Sequence, residues 1–413
     1  MGETRWVTDD LTGLLDDARA LQTDTISLRR ALHRQPEVGL RLPQTQRRVL
    51  DSLAGLPLRV RTGTALDSVV AVLDGARPGR TVLLRGDMDA LLMPEDSGLE
   101  FASATPDVMH ACGHDTHVAM LVGAARLLSA RRERFAGRVV FMFQPGEEGQ
   151  FGARYMLEEG LLDVDGGEPV SGAYALHIGT WYPSGTVNVR PGPLLASSDV
   201  LQITVRGAGA HASAPHRGLD PIPVACEIVQ AIQTMVTRRF SVFEPVVVSV
   251  AQIIAGTADN VIPAEARMVG TIRALSETSR LAVHEQLTRL AEGVAAAHGA
   301  SAEVDIDPGY PPTVNDPDAA ELLRSTAAEI LGAESAIALD DPIMGSEDWS
   351  YVLQRVPGAM AFLGACPPGE QPGVAPSNHS NKVVFDEAAM PAGIATLTAA
   401  ALRHLAAPSL DRF

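Results

Sequence analysis

Apolar positions change their spacing several times along the chain, and each change marks an element. Residues 11–32 carry leucines at helical intervals and run into Pro36, where a helix must end. A second helix is expected over Pro43–Leu53. Residues 68–73 and 81–84 are short apolar runs separated by the turn Gly75-Ala76-Arg77-Pro78-Gly79, and read as strands. Residues 118–128 are apolar and Ala-rich without a breaker, the pattern of a buried helix. Two further apolar runs, 138–144 and 173–177, each end in polar residues. Strands alternating with helices, with polar groups gathered at strand ends, predict an α/β domain with a central sheet and a site along its carboxyl edge.

From about Ser197 the order of elements changes. Residues 200–205 read as a strand, 221–238 as a helix, 246–254 and 266–274 as strands, 276–298 as a long helix and 302–306 as a last strand. This β-α-β-β-α-β order is the ferredoxin-like plan. Patterns like those of the first domain resume near Asp318, so residues 197–313 are expected to form an inserted domain. The first domain is then divided into 1–196 and 314–413. Its second part ends in a helix over 386–404 with Asp386 as N-cap.

Composition narrows the function classes. The chain has 413 residues, 46% hydrophobic and 20% charged, as an ordinary globular protein does. A formal net charge of −17 argues against a nucleic-acid partner, which needs cationic groups for its phosphates. Lys382 is the single lysine, and no apolar run approaches the ~18 residues of a membrane span. Residues 1–10 have neither a basic segment nor an apolar one, so no secretory leader is read there. Three cysteines, Cys112, Cys226 and Cys366, are too few for a disulfide framework, and a cytoplasmic location is expected. Cys226 is expected in the core and Cys366 in a loop.

The chemistry concentrates in Met109-His110-Ala111-Cys112-Gly113-His114-Asp115-Thr116-His117. Imidazole, thiolate and carboxylate are the side chains that bind zinc or a similar ion. Gly113 allows a tight turn from which Cys112 and His114 aim at one point, with Asp115 or Thr116 expected to cap the following helix. Asp87 and Asp89, two apart at a strand end, project to one side; they either accompany a cation or cap a turn. Glu147-Glu148 follows a buried strand between glycines, so one carboxylate can bind a metal while the other handles a proton. His177 ends another strand, His379 lies in a polar loop, and Gly207–His216 is a glycine-rich turn holding two histidines.

In order, the chain carries H-x-x-P-E at His33–Glu37, M-H-A-C-G-H-D-x-H, F-x-F-Q-P-x-E-E-G, L-H and G-x-x-A-H-A-S-x-P-H-x-G-x-D-P-I. N-V-I-P-x-x-A, G-T-I-R, M-G-x-E-D and N-H-S follow. This series, spread over nearly the whole chain, resembles the amidohydrolase branch of the aminoacylase–carboxypeptidase superfamily of metallopeptidases. The resemblance implies a zinc-exopeptidase-like fold, a mixed sheet with helices on both faces, carrying an inserted lid and dimerisation domain. It implies two divalent ions held by Cys112, His114, Glu148, His177 and His379, with zinc or manganese expected and cobalt or nickel also suited. Glu147 would be general base and acid, Asp89 would support the metal region, and His211 would stabilise the oxyanion, from the partner subunit of a homodimer. Asn260 and Arg273 would bind the substrate carboxylate.

The implied reaction is hydrolysis of an N-acyl-amino acid. Exopeptidase action on dipeptides or C-terminal residues would use the same site. A cysteine-nucleophile hydrolase built on Cys112 would leave Glu147, Glu148 and His379 without a task, and a non-catalytic scaffold would not need the full set. The chain departs from the family at Ile178–Pro183, Ser346, Trp349 and Asn381, which bears on substrate identity.

Overall fold

The computed structural model describes residues 11–164 and 167–407. Residues 1–10, read above as lacking a leader, lie outside them. The chain divides into two compact units: Met1–Gly192, Asn315–Asp341 and Tyr351–Phe413 form the first, and Pro193–Val314 with Pro342–Ser350 the second.

The first unit is built on an eight-stranded mixed sheet. Its strands are β1 (Leu58–Thr62), β2 (Val69–Asp74), β3 (Arg77–Asp87), β4 (Ala136–Gln144), β5 (Val170–Gly179), β6 (Val187–Val189), β7 (Ala336–Ala338) and β8 (Gly358–Gly364). Their order is β1-β2-β4-β3-β5-β8-β6-β7. The central strands β4, β3, β5 and β8 are mutually parallel, whereas β1, β2 and β6 pair antiparallel. The parallel strands are buried along nearly their whole length, which is why the sequence shows them as continuous apolar runs and not as an alternation.

Five helices of this unit bear on the site or its support: α1 (Gln22–Arg34), α2 (Pro43–Leu53), α3 (His114–Ala130), α4 (Pro317–Leu331) and α5 (Met390–Ala406). Helices α3 and α5 are buried almost all round, as their Ala-rich sequences require. A Cβ on Gly123 of α3 would stand 2.7 Å from Ile394 Cδ1 of α5, so the glycine sets how closely the two helices approach. The continuous helix expected over residues 11–32 is instead two, broken at Leu21, with a separate short helix over Leu14–Ala20. Leucine spacing persists across the break, so periodicity alone did not reveal it. Asp386 does cap the closing segment, its carboxylate accepting from Ala388 N in a short 3-10 turn before α5.

The second unit holds an antiparallel sheet whose strands are ordered Val246–Ala255, Glu265–Ala274, Asp199–Arg206 and Ser301–Pro308. With the helices Pro221–Arg239 and Glu277–Ala297 between them, this is the ferredoxin-like arrangement. Alternation along Asp199–Arg206 buries Leu201, Ile203 and Val205 against Val224, Ile228 and Ile232 of the first helix and Val283 and Leu287 of the second. Cys226, expected in this core, is exposed. Val224, Ile228 and Ile232 recur every four residues and define the buried stripe, and a residue two places beyond Val224 lies about 200° round the helix.

One buried carboxylate ties the unit together. Asp199 lies 2.6 Å from Arg280 Nη2 and 3.0 Å from His284 Nε2, and it accepts from Gly309 N at 3.1 Å. Removing it would leave the buried Arg280 guanidinium with only the more exposed Glu277 and the Gly309 carbonyl. Asp199→Ala is therefore expected to cost about 3–5 kcal/mol, seen as an earlier unfolding transition of this unit in a thermal melt.

Candidate metal centre

Strands β4, β3 and β5 are neighbours and parallel, so their carboxyl ends meet at one edge. Strand β3 ends at Asp87 with Asp89 just beyond, β4 leads into Glu147-Glu148, and β5 carries His177. The loop before α3 adds Cys112 and His114. Gly113 joins these two at φ +86°, and a Cβ there would lie 2.4 Å from Ile178 Cγ2. No other residue suits the position: it needs both a left-handed backbone and the absence of a side chain. Gly113 is also the N-terminal boundary of α3, so neither Asp115 nor Thr116 is its cap.

His379 completes the convergence from a loop. Its backbone is left-handed (φ 68°), a conformation costing a non-glycine residue about 1–3 kcal/mol. Hydrogen bonds hold it there: His379 N donates to Ala111 O at 2.9 Å, and Asn378 Nδ2 donates to Cys112 O and Ile178 O at 3.0 and 2.9 Å.

The five donors come together. Cys112 Sγ lies 3.4 Å from His177 Nε2 and 3.3 Å from His379 Nε2. Glu148 Oε1 lies 3.2 Å from His379 Nε2 and 4.0 Å from His114 Nε2. Two triads result, Cys112–His114–His177 and Cys112–Glu148–His379, with the sulfur common to both. His114 Nδ1 donates to Asp89 O at 2.9 Å and His177 Nδ1 to Ile178 O at 2.8 Å, so both Nε2 lone pairs face inward. His114 Nε2 and Glu148 Oε1 are buried without a hydrogen-bond partner among the described residues. Facing lone pairs, a buried thiol and a carboxylate this close fit a cation between them, and the set suits zinc, manganese, cobalt or nickel.

Asp89 has a separate task. Its two oxygens accept from the backbone amides of Glu147 and Glu148 at 2.9 and 3.0 Å, clamping the turn that presents both acids. Glu147 is buried beside this clamp.

Two histidines of the cluster stand apart from the triads. His110 is buried with neither nitrogen bonded among the described residues, and burial pulls it down to about 3, so it stays neutral. His117 lies 2.5 Å from Asp87 Oδ1 through Nδ1, and its Nε2 accepts from Ile178 N at 2.8 Å. Both nitrogens are committed, which leaves none for a metal. Burial would raise the Asp87 carboxyl, but Arg85 above all, then His114 and His117, hold it well below the usual range.

Composition and spacing did not reveal the support behind α3. Asp115 is fully buried and accepts from Arg29 Nε at 2.7 Å and His33 Nδ1 at 2.9 Å, while His33 Nε2 lies 3.1 Å from Glu95. The H-x-x-P-E motif contains His33, yet nothing local shows that its partners are 82 and 62 residues away. The remaining predicted site residues lie in the second unit. His211 and Asn260 meet at a small two-stranded antiparallel sheet, where His211 pairs with Val261 and Asn260 O accepts from Ala212 N at 3.0 Å. Arg273 is on the strand Glu265–Ala274.

The His33 network makes stability depend on pH. Burial would lower the imidazole, but the charge of Asp115 and the hydrogen bonds His33 donates to Asp115 and Glu95 outweigh it and raise its pKa. The stabilisation it brings is complete below its unfolded value of 6.5 and is lost as pH rises through the folded value. Burial would raise Glu95, yet the hydrogen bonds from His33, Ser97 and Ser103 bring it down to about 2, so its contribution is present above the usual carboxylate range and fades on acidification. The loss of stability in His33→Gln is expected to be larger at about pH 6 than at about pH 9, measured by thermal unfolding of the metal-free proteins.

Comparisons with known proteins converge on one group. Residues 83–403 match the peptidase family M20/M25/M40. The chain is 38% identical over 378 residues to Thermostable carboxypeptidase 1 of Saccharolobus solfataricus (91% of this chain, 93% of the relative). It is 38% identical over 347 residues to N-acetylcysteine deacetylase of Bacillus subtilis (84% of this chain, 89% of the relative). Among solved structures it is similar to the Bacillus subtilis YXEP protein, described as a dinuclear metal binding peptidase of the M20 family. That match has a TM-score of 0.81 and 32% identity, covering 94% of this chain and 99% of the other.

Proposed function

The chain belongs to peptidase family M20/M25/M40 and is a hydrolase of amide bonds, and from that premise we propose that it cleaves N-acyl-amino acids to a carboxylate and a free amino acid. The observation that carries this reading is the convergence of Cys112, His114, Glu148, His177 and His379 beside a second, adjacent carboxylate, Glu147.

Those five residues would hold two divalent ions, which when bound polarise the amide carbonyl and acidify the attacking water. Cys112 favours zinc, and the nitrogen and oxygen donors also suit manganese, cobalt or nickel. Glu147 follows β4 next to the ligand Glu148, its amide is fixed by Asp89, and a carboxylate oxygen lies within 4.8 Å of donor atoms of His114 and Glu148, which supports its role as the proton carrier. It takes one proton from the water as the oxygen adds to the amide carbon. It returns that proton to the nitrogen as the C–N bond breaks, so the amine leaves neutral. His211 would stabilise the developing oxyanion, and Asn260 and Arg273 would bind the carboxylate of the amino-acid half.

The second unit is proposed to make a homodimer. Its edge strand Val246–Ala255 pairs on one side only and exposes Val247, Ile253 and Ile254, a surface suited to a second copy of the same strand. His211 would then serve the partner's centre. Activity recovered on mixing His211→Ala with Glu147→Ala protein is the expected sign. A second reading, carboxypeptidase-type exopeptidase action, is favoured by the relative of that name.

Glu147→Gln is expected to keep its metal and lose at least ~10²-fold in kcat. Chelation by EDTA should abolish wild-type activity, and zinc or manganese should restore it. Turnover of acetyl- and benzoyl-amino acids above that of dipeptides supports the first reading; the reverse order supports the second.

A further inference from the structure

We infer that Asp87 and His117 are a positioning pair that orients the ligand His177 and ties it to the strand ends bearing the acid pair. This inference rests on the metal-centre reading above.

The register of the sheet explains why such a pair is needed. Strand β3 pairs with β5 only as far as Arg85 opposite Ala175, while β5 runs on to Gly179 beside β8. Beyond Ala175, the β3 side of β5 has lost its ladder. Ile178 N falls in this stretch, next to His177, and its partner is the side-chain nitrogen His117 Nε2 at 2.8 Å. The carbonyl of the same residue accepts from His177 Nδ1 at 2.8 Å and from Asn378 Nδ2 at 2.9 Å. One residue, through its two flanking peptides, is thus held by His117, orients the His177 ring and anchors the loop that carries His379.

His117 can accept from Ile178 only if its proton is on Nδ1. Asp87 enforces that tautomer: an ionised carboxylate only accepts, so the nitrogen facing it must carry the hydrogen. Arg85 keeps the carboxylate ionised, with Nη1 2.7 Å from Asp87 Oδ2, and its Nε donates to Gln144 Oε1 at 3.0 Å. Gln144 ends β4, two residues before Gly146 and the acid pair, and its carbonyl accepts from Met88 N at 2.7 Å. The relay Gln144–Arg85–Asp87–His117–Ile178 thus crosses the ends of β4, β3 and β5 and the first turn of α3. Arg85, Asp87 and His117 are all at most 2% exposed, so water does not supply these bonds instead.

Three substitutions separate the links. In His117→Asn the side-chain amide can still donate to Asp87 but no longer reaches Ile178. In His117→Gln the carbonyl oxygen stands where Nε2 stood and can accept from Ile178. In Asp87→Asn the amide can donate to His117 Nδ1, driving the proton to Nε2, where it meets Ile178 N–H donor to donor. The probe is Co²⁺ added to metal-stripped protein, read by calorimetry and by the thiolate-to-cobalt absorption that reports Cys112.

We expect His117→Asn and Asp87→Asn to bind Co²⁺ about 10- to 100-fold more weakly than wild type, with His117→Gln within about threefold of it. Equal affinity in His117→Asn and His117→Gln overturns the inference, as does weakening matched by an equal fall in the melting temperature of metal-free protein. Cys112→Ala and His177→Ala are the controls. If they bind Co²⁺ as wild type does, the metal-centre reading itself fails. If they lose binding while the His117 variants keep it, only the positioning inference fails. Should Asp87→Asn not fold, the comparison of the two His117 variants decides alone.

Discussion

Backbone groups at the end of a parallel sheet lose their ladder partners, and in a buried setting each must find another. That requirement organises the site. Where β4 ends, the amides of Glu147 and Glu148 go to Asp89; where β3 ends, Met88 N goes to Gln144 O; where β5 outruns β3, Ile178 N goes to His117. The side chains that meet these needs are charged or polar and largely excluded from water, so they are rigid. The donor atoms of the centre inherit that rigidity, because they belong to the same few residues or to their neighbours.

Burying so much charge is costly unless it is matched locally. Behind the donors it is matched: Arg85 faces Asp87, and Arg29 and His33 face Asp115. Among the donors it is not, because a thiol, a carboxylate and inward lone pairs face one another with two buried polar atoms unsatisfied. These donors surround the place where a cation would sit. Hydrogen bonds from His379 Nε2 to Cys112 and Glu148 raise His379 to about 10. Binding a metal must therefore displace protons.

The second unit obeys the same economy on a smaller scale. It has its own apolar core under two helices, and a buried acid, Asp199, shared by Arg280, His284 and the Gly309 amide. Its sheet has two open edges, Val246–Ala255 and Ser301–Pro308, and assembly is proposed at the first, which exposes Val247, Ile253 and Ile254.

Much of this was legible in the residues alone. Period changes gave the α/β class and the β-α-β-β-α-β order of the second unit, because burial on one face or on all faces writes itself into local spacing. Donor chemistry marked the 109–117 cluster, the Glu147-Glu148 pair, His177 and His379; the family resemblance implied the set Cys112, His114, Glu148, His177 and His379, and the structure brings these five together. What the residues could not say is which polar side chain takes which partner, since those pairs are dozens to hundreds of residues apart. Asp115 looked like a helix cap and is a buried anchor; Cys226 looked like core and faces outward. His117 looked as good a ligand as His114. Only the folded register, which ends β3 at one residue and lets β5 run on, directs one imidazole's lone pair into the centre and commits both nitrogens of the other to its support.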